Sequence, residues 1–105
     1  MRTFILRTDP IAGIAVWVQS AQGNRCGVLA DHLEITTQLR DRIESWIAWC
    51  QLLTESQSVD AREWERYDNE GQSIASELHG QLPEGSRVVF KPEDSRGLDV
   101  VFEDP

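Results

Sequence analysis

Apolar residues recur along the chain at two periods, and the change of period divides it into strands, then helices, then strands. Residues 3–6, TFIL, are β-branched and aromatic and predict a strand. Asp9-Pro10 predicts the turn after it, because proline fixes its own φ and biases the residue before it away from helix. Residues 13–19, GIAVWVQ, predict a second strand with Ile14, Val16 and Val18 on one face and Ala15 and Trp17 on the other. QGN (22–24) is a turn signal and RCGVLA (25–30) a third short strand, so residues 14–30 read as a hairpin.

From Thr36 the period lengthens. Leu39, Ile43, Trp46, Ile47, Cys50 and Leu53 recur at three- and four-residue steps and predict a helix over 36–53, with Trp49 at the edge of the stripe. Thr36 or Thr37 can cap its start. Arg40 and Glu44 stand at i, i+4 on the outer side, where they can pair. TESQS (54–58) reads as a loop. Asp60-Ala61-Arg62-Glu63 has capping-box spacing, with Asp in place of Ser or Thr, and opens a second helix. That helix runs to about Leu82, where Pro83-Glu84-Gly85 stops it. RVVFK (87–91) and GLDVVFE (97–103) predict a C-terminal hairpin turning at EDSRG, and Glu103-Asp104-Pro105 reads as a tail.

Within the second helix the run Asp68-Asn69-Glu70-Gly71 looks like a turn. Yet Trp64, Tyr67, Gly71, Ile74, Ala75, Leu78 and Leu82 fall in one stripe at 100° per residue, and the phase is kept across the run. One helix through Gly71 is the reading that follows, with the glycine admitting a bulky neighbour, Trp46 or Trp49. The alternative is a short helix, a turn and a new helix capped by Asp68.

These elements predict one α+β domain over residues 1–105. Its sheet is antiparallel or mixed, of four to five strands, with two helices packed on one face in the order strands–helix–helix–strands. The expected core is Phe4, Leu6, Val16, Val18, Leu39, Ile43, Trp46, Ile47, Gly71, Ile74, Leu78, Val88, Phe90 and Val100.

Charge adds what the pattern does not. Eighteen acids against ten bases give a net charge of −8, which repels nucleic acid and anionic membranes and favours a basic protein partner. Glu63, Glu70 and Glu77 lie seven apart along one flank of the second helix, with Arg66 able to pair with Glu63 or Glu70. This flank, or the acidic C-terminus at Asp99, Glu103 and Asp104, is the expected partner-binding surface; a solvated face is the plain alternative. Reversing Glu70 and Glu77 to lysine is then expected to slow association and leave stability almost unchanged.

The two cysteines, Cys26 and Cys50, do not form a dense framework and read as reduced thiols of a cytoplasmic protein; no apolar run is long enough to span a membrane. His32 and His79 lack metal-ligand spacing, Cys26 with His32 carries no sign of an activated thiolate, and phosphate-binding glycine patterns are missing. No catalytic residue, metal site or cofactor is expected, and a binding role follows more naturally than an enzyme.

The segment Leu39-x2-Arg42-Ile43-x2-Trp46, followed by Trp64-x2-Tyr67-Asp68-x-Glu70-Gly71-x3-Ala75-x2-Leu78-x3-Leu82 and Val88-Val89-Phe90, resembles small acidic bacterial immunity proteins or antitoxins. These are encoded beside polymorphic or contact-dependent growth-inhibition toxins, and the likeness spans roughly residues 31–91. It implies a protein that binds and neutralises a toxin domain, often a nuclease with a basic surface. No binding residue carries over, since such interfaces diverge with the toxin. An acidic mimic of nucleic acid, or a regulator of a DNA- or RNA-handling enzyme, is the alternative. A structural subunit anchored by Trp17 or Trp49 is a third.

Overall fold

A computed structural model describes residues 2–9, 11–56, 59–93 and 97–104. In it β1 (Thr3–Asp9), β2 (Ile14–Gln19) and β3 (Arg25–Val28) are followed by a 3-10 turn at Ala30–His32. Then come α1 (Thr37–Glu55), α2 (Ala61–Gln81), β4 (Arg87–Phe90) and β5 (Val100–Phe102). The five strands form one mixed sheet in the order β3-β2-β1-β4-β5. β1 pairs antiparallel with β2 and parallel with β4, while β2–β3 and β4–β5 are antiparallel. The two helices are the crossover between β3 and β4. The architecture is α+β, strands then helices then strands.

Local chemistry explains the boundaries. The Thr36 side chain accepts the Leu39 N–H and caps α1, and Asp60 does the same for α2 through the Arg62 N–H. α1 runs two residues beyond the expected end at Leu53, and Thr54 Oγ1 there donates to the Cys50 carbonyl at 2.8 Å. β3 ends at Val28 rather than Ala30, and β5 covers only Val100–Phe102, in the second half of its expected range. β1 continues to Asp9, whose carboxylate accepts the N–H groups of Ile11 and Ala12. Pro10, Gln57 and Ser58, the centre of the expected EDSRG turn (94–96) and Pro105 lie outside the described residues.

The alternation expected for β2 holds at Val16 and Val18 and fails at its start. Ala15 joins the core, and Ile14 instead packs beside Trp17 and Gly27. The β1–β2 register shifts between Leu6 and Asp9, and one irregular step reverses which way the preceding side chain points.

The core lies between the sheet and the helices: Phe4, Leu6, Val16, Val88 and Phe90 meet Leu39, Ile43, Trp46, Cys50, Tyr67, Ile74, Ala75 and Leu78. Val18, Ile47 and Val100, expected within it, are only partly buried at its margin. α2 passes unbroken through Gly71, and Asp68, instead of capping a new helix, accepts the Glu93 N–H at 2.9 Å. The absent side chain at Gly71 is filled from two sides. A Cβ there would collide with Trp46 Cζ2 and stand 2.5 Å from Phe90 Cε1. The close approach lets the Trp46 indole stack on Tyr67 and donate to the Tyr67 carbonyl at 3.0 Å.

The face away from the helices is not bare. Gly27, Trp17, Ile5, Val89 and Val101 are successive register partners and form a row across all five strands. Trp17 Nε1 donates to the Arg7 carbonyl at 2.9 Å, and Ile5 beside it is only 2% exposed. Gly27 leaves room for that ring, since a Cβ would stand 3.2 Å from Trp17 Cζ3.

Candidate partner-binding surface

The acids singled out from the sequence fall in two groups, and each of them has a partner within the chain. On the helix side, Arg42 of α1 reaches across to α2. Its guanidinium donates to Glu70, to Glu77 at 2.8 Å and to Ser73 Oγ at 2.8 Å. The hydrogen bond to Glu70, more than any other contact, holds its pKa above the ordinary arginine value. Glu63 stands 4.0 Å from Arg66. Arg40 meets Asp31 at 3.8 Å, not the Glu44 expected from spacing.

At the C-terminal strand, Asp99 accepts from Lys91 at 2.7 Å, and Glu103 stands 3.8 Å from Arg87. Asp104 meets His79 at 3.2 Å and accepts the Gly85 N–H at 2.7 Å. These contacts tie β5 to β4 and to the end of α2. The residues read as a tail are therefore held, as far as Asp104.

The Arg42 bridge argues that charge reversal at Glu70 and Glu77 should not be structurally silent. Glu70→Lys with Glu77→Lys would set two ammonium groups beside the guanidinium and remove the strap between the helices. The pairs are part-exposed, so the expected loss is about 1–2 kcal/mol, read as a lower urea midpoint. Adding Arg42→Glu to the double variant should restore most of it. No loss in the double variant would show that the bridge contributes nothing.

The acids left without a cationic partner among the described residues are different ones. Glu34, Asp41, Glu44, Glu55, Glu65 and Glu84 are all exposed, and no ion pair engages them. Glu65 stands on the rim of a groove of about 700 Å³ between α2 and the β4–β5 hairpin. Trp64, Phe90, Pro92, Leu98 and Val100 form its apolar lining; Glu65, Asp68 and Glu93, with Asn69 and Gln72, supply the polar groups. No lysine, arginine or histidine is among the described lining residues.

Glu93 also borders a second cavity of about 540 Å³ at the end of β1, with Arg7, Thr8, Trp17, Arg25, Cys50 and Thr54. The Thr8 and Tyr67 hydroxyls share a buried hydrogen bond, and Thr8 Oγ1 lies 3.1 Å from Cys50 Sγ and 3.4 Å from Glu93 Oε1. Thr8 has one proton to give, so Tyr67 donates into it whenever Thr8 serves Cys50 or Glu93. Burial raises the pKa of Glu93, Arg7 opposes the rise, and the nearby Asp68 adds to it.

Cys26 is exposed and Cys50 buried, and both are free thiols. No cluster of metal-ligating side chains occurs among the described residues. Trp17 is tied to β1, and Trp49 packs edge-on against Tyr67 at 5.6 Å, so neither projects as a free anchor. No described helix is long and apolar enough to cross a membrane. No protein-family model and no curated protein matches the sequence.

Proposed function

We propose that the protein is a non-enzymatic, stoichiometric inhibitor that acts in the cytoplasm as an immunity protein and neutralises a basic toxin domain, such as a nuclease. The observation that carries this reading is the distribution of the acidic surplus. A charge of −8 persists after the internal ion pairs are formed. It is displayed by exposed carboxylates on both helices, beside a groove lined by acids and no described base. Such a surface favours and accelerates encounter with a basic protein.

The binding surface is assigned away from the Glu63–Glu70–Glu77 line and the Asp99, Glu103 and Asp104 group, because those acids are already engaged by basic groups of the same chain. The same geometry argues against mimicry of nucleic acid. A mimic needs an unbroken track of carboxylates, and Arg42 bridges Glu70 and Glu77 in the middle of this one.

The test is affinity capture from the native host at low and then high salt, followed by an activity assay of the partner. A single basic protein, bound one to one, released by salt and inactivated by the added protein, is the expected result. A partner that keeps its full activity in the complex, or no stoichiometric partner in cells that express the neighbouring genes, would sink the inhibitor reading.

A further inference from the structure

Strand direction sets one end of the molecule apart. β1 and β4 are parallel neighbours, and β3 runs the same way as β1 through two antiparallel steps. Three connections therefore leave the sheet at the carboxyl ends of β1, β3 and β4. The chain passes from β1 to β2 on one side and from β4 to β5 on the other, so β1 and β4 part beyond the Leu6–Phe90 pair. A parting of parallel strands at their carboxyl ends is where open sheets place binding sites. Two cavities, of about 700 and 540 Å³, lie here and are both bordered by Glu93 just beyond β4.

Exposed apolar side chains collect at the same end. Among the described residues five large ones are exposed: Ile11 (97%), Leu98 (86%), Leu52 (68%), Leu29 (51%) and Val101 (41%). Ile11, Leu29 and Leu98 each lie in one of the three connections. Leu52 is in the last turn of α1, which the bond from Thr8 to Cys50 ties to the end of β1. Val101 alone lies elsewhere, within β5. The turns at the opposite end carry none of the five and are closed by polar bonds. There the Ser20 N–H donates to the Asn24 carbonyl at 2.8 Å and the Gly85 N–H to Asp104. One exposed leucine on a surface is ordinary; four of five such side chains at one end mark an interaction surface.

Charges of both signs border this end, Arg7 and Arg62 as well as Glu55 and Glu65, so local charge does not choose the occupant. The net charge does. At −8 the chain repels anionic lipid, nucleic acid and a second copy of itself, and attracts a basic protein. We propose that the carboxyl end of the sheet docks an apolar segment of a basic protein, with Ile11, Leu52 and Leu98 as the main contacts and Leu29 at the margin beside β3. The inhibitor reading supplies only the identity of that protein; the surface itself stands on where these side chains lie.

Two experiments separate the surface from the inhibitor reading. In the first, the full chain, ¹³C-labelled at its isoleucine and leucine methyls, is titrated with end-blocked Lys-Leu-Leu-Lys and Lys-Ser-Ser-Lys peptides. The leucine peptide should shift the Ile11, Leu52 and Leu98 methyls saturably, and the serine peptide should bind at least about tenfold more weakly. Equal shifts from both peptides, or none at these methyls, would overturn the proposal. In the second, the triple variant Ile11→Gln, Leu52→Gln, Leu98→Gln and the single variant Val101→Thr are compared with the wild type against the captured partner. The triple variant should lose at least about tenfold in affinity at an unchanged thermal midpoint, and Val101→Thr should lose nothing. A triple variant that binds and inhibits like the wild type would refute the surface and leave the inhibitor reading standing. A triple variant that loses a partner whose activity was never inhibited would refute the inhibitor reading and leave the surface.

Discussion

Replacing Gly71 with alanine is expected to destabilise the protein by about 1–3 kcal/mol, although alanine is the better helix former by about 1 kcal/mol. The added methyl would have to displace Trp46 or Phe90, and neither can retreat easily. Trp46 is 2% exposed, stacked on Tyr67 and tied by its N–H to the Tyr67 carbonyl. Phe90 is equally buried in β4. The same substitution at Gly80, in the last turn of the same helix, should have the opposite sign. A Cβ there meets nothing within 4 Å, so up to about 1 kcal/mol of helix propensity is gained. Urea unfolding of the two variants side by side checks both signs. A Gly71→Ala protein as stable as the wild type would mean that α2 does not pack this closely. In a double variant with Phe90→Leu, part of the loss should be recovered as a coupling energy.

Tyr67→Ala should be the most damaging single change, with a loss of about 3–5 kcal/mol from a fold whose total stability is of order 5–15 kcal/mol. Tyr67 is fully buried and its ring is the hub of the aromatic core. It stacks on Trp46 at 4.8 Å and meets Trp49 and Trp64 edge-on at 5.6 and 5.5 Å. Tyr67→Phe isolates the hydroxyl. It keeps the ring contacts and removes the hydroxyl's bonds to Thr8 and to the Cys50 thiol, which still have each other, so about 1 kcal/mol is expected. If the phenylalanine variant falls as far as the alanine one, the hydroxyl network and not the ring packing holds this site. The hydroxyl also has a pH signature. Burial raises the phenol pKa above its ordinary value of 10.0, so only the unfolded chain can ionise it in mild alkali. Its contribution is complete below that value and declines as pH rises past it, a slope that the phenylalanine variant should lack.

The sequence made the helical features legible and hid what long-range contacts decide. Gly71 could be placed on the inner face because its phase follows from residues within two turns of it. Trp46 emerged as a neighbour for the same reason, since its own stripe is local. Phe90, the other group filling that space, comes from a strand that spacing along a helix cannot relate to α2. The acids show the same division. Pairing at i, i+3 finds Arg66 for Glu63, whereas Arg42 meets Glu70 and Glu77 across a helix–helix contact that sequence spacing does not encode.

Two of the ion pairs follow from strand pairing. With Val88 opposite Phe102 and Phe90 opposite Val100, hairpin register alone places Arg87 against Glu103 and Lys91 against Asp99. The alternation rule missed Ile14 because a register shift belongs to a pair of strands and not to one. The groove was hidden for a related reason. Its walls come from α2 and from residues after β4, and only the lie of the helix over the hairpin creates the space between them.

The aromatic hub has an optical consequence. The chain has a single tyrosine and four tryptophans, and three of those indoles surround the tyrosine ring within 6 Å. Light absorbed by Tyr67 in the folded protein therefore passes to its neighbours, and tyrosine emission stays dark until the hub comes apart. Stacked and perpendicular rings fixed at these separations also couple their transitions, which gives the near-ultraviolet circular dichroism a signature specific to the packed state. Trp17, on the opposite face of the sheet, stands outside this assembly. One unlabelled molecule thus carries two separate reporters, one for the helix-side core and one for the outer face. Loss of one before the other would reveal whether the two layers come apart together.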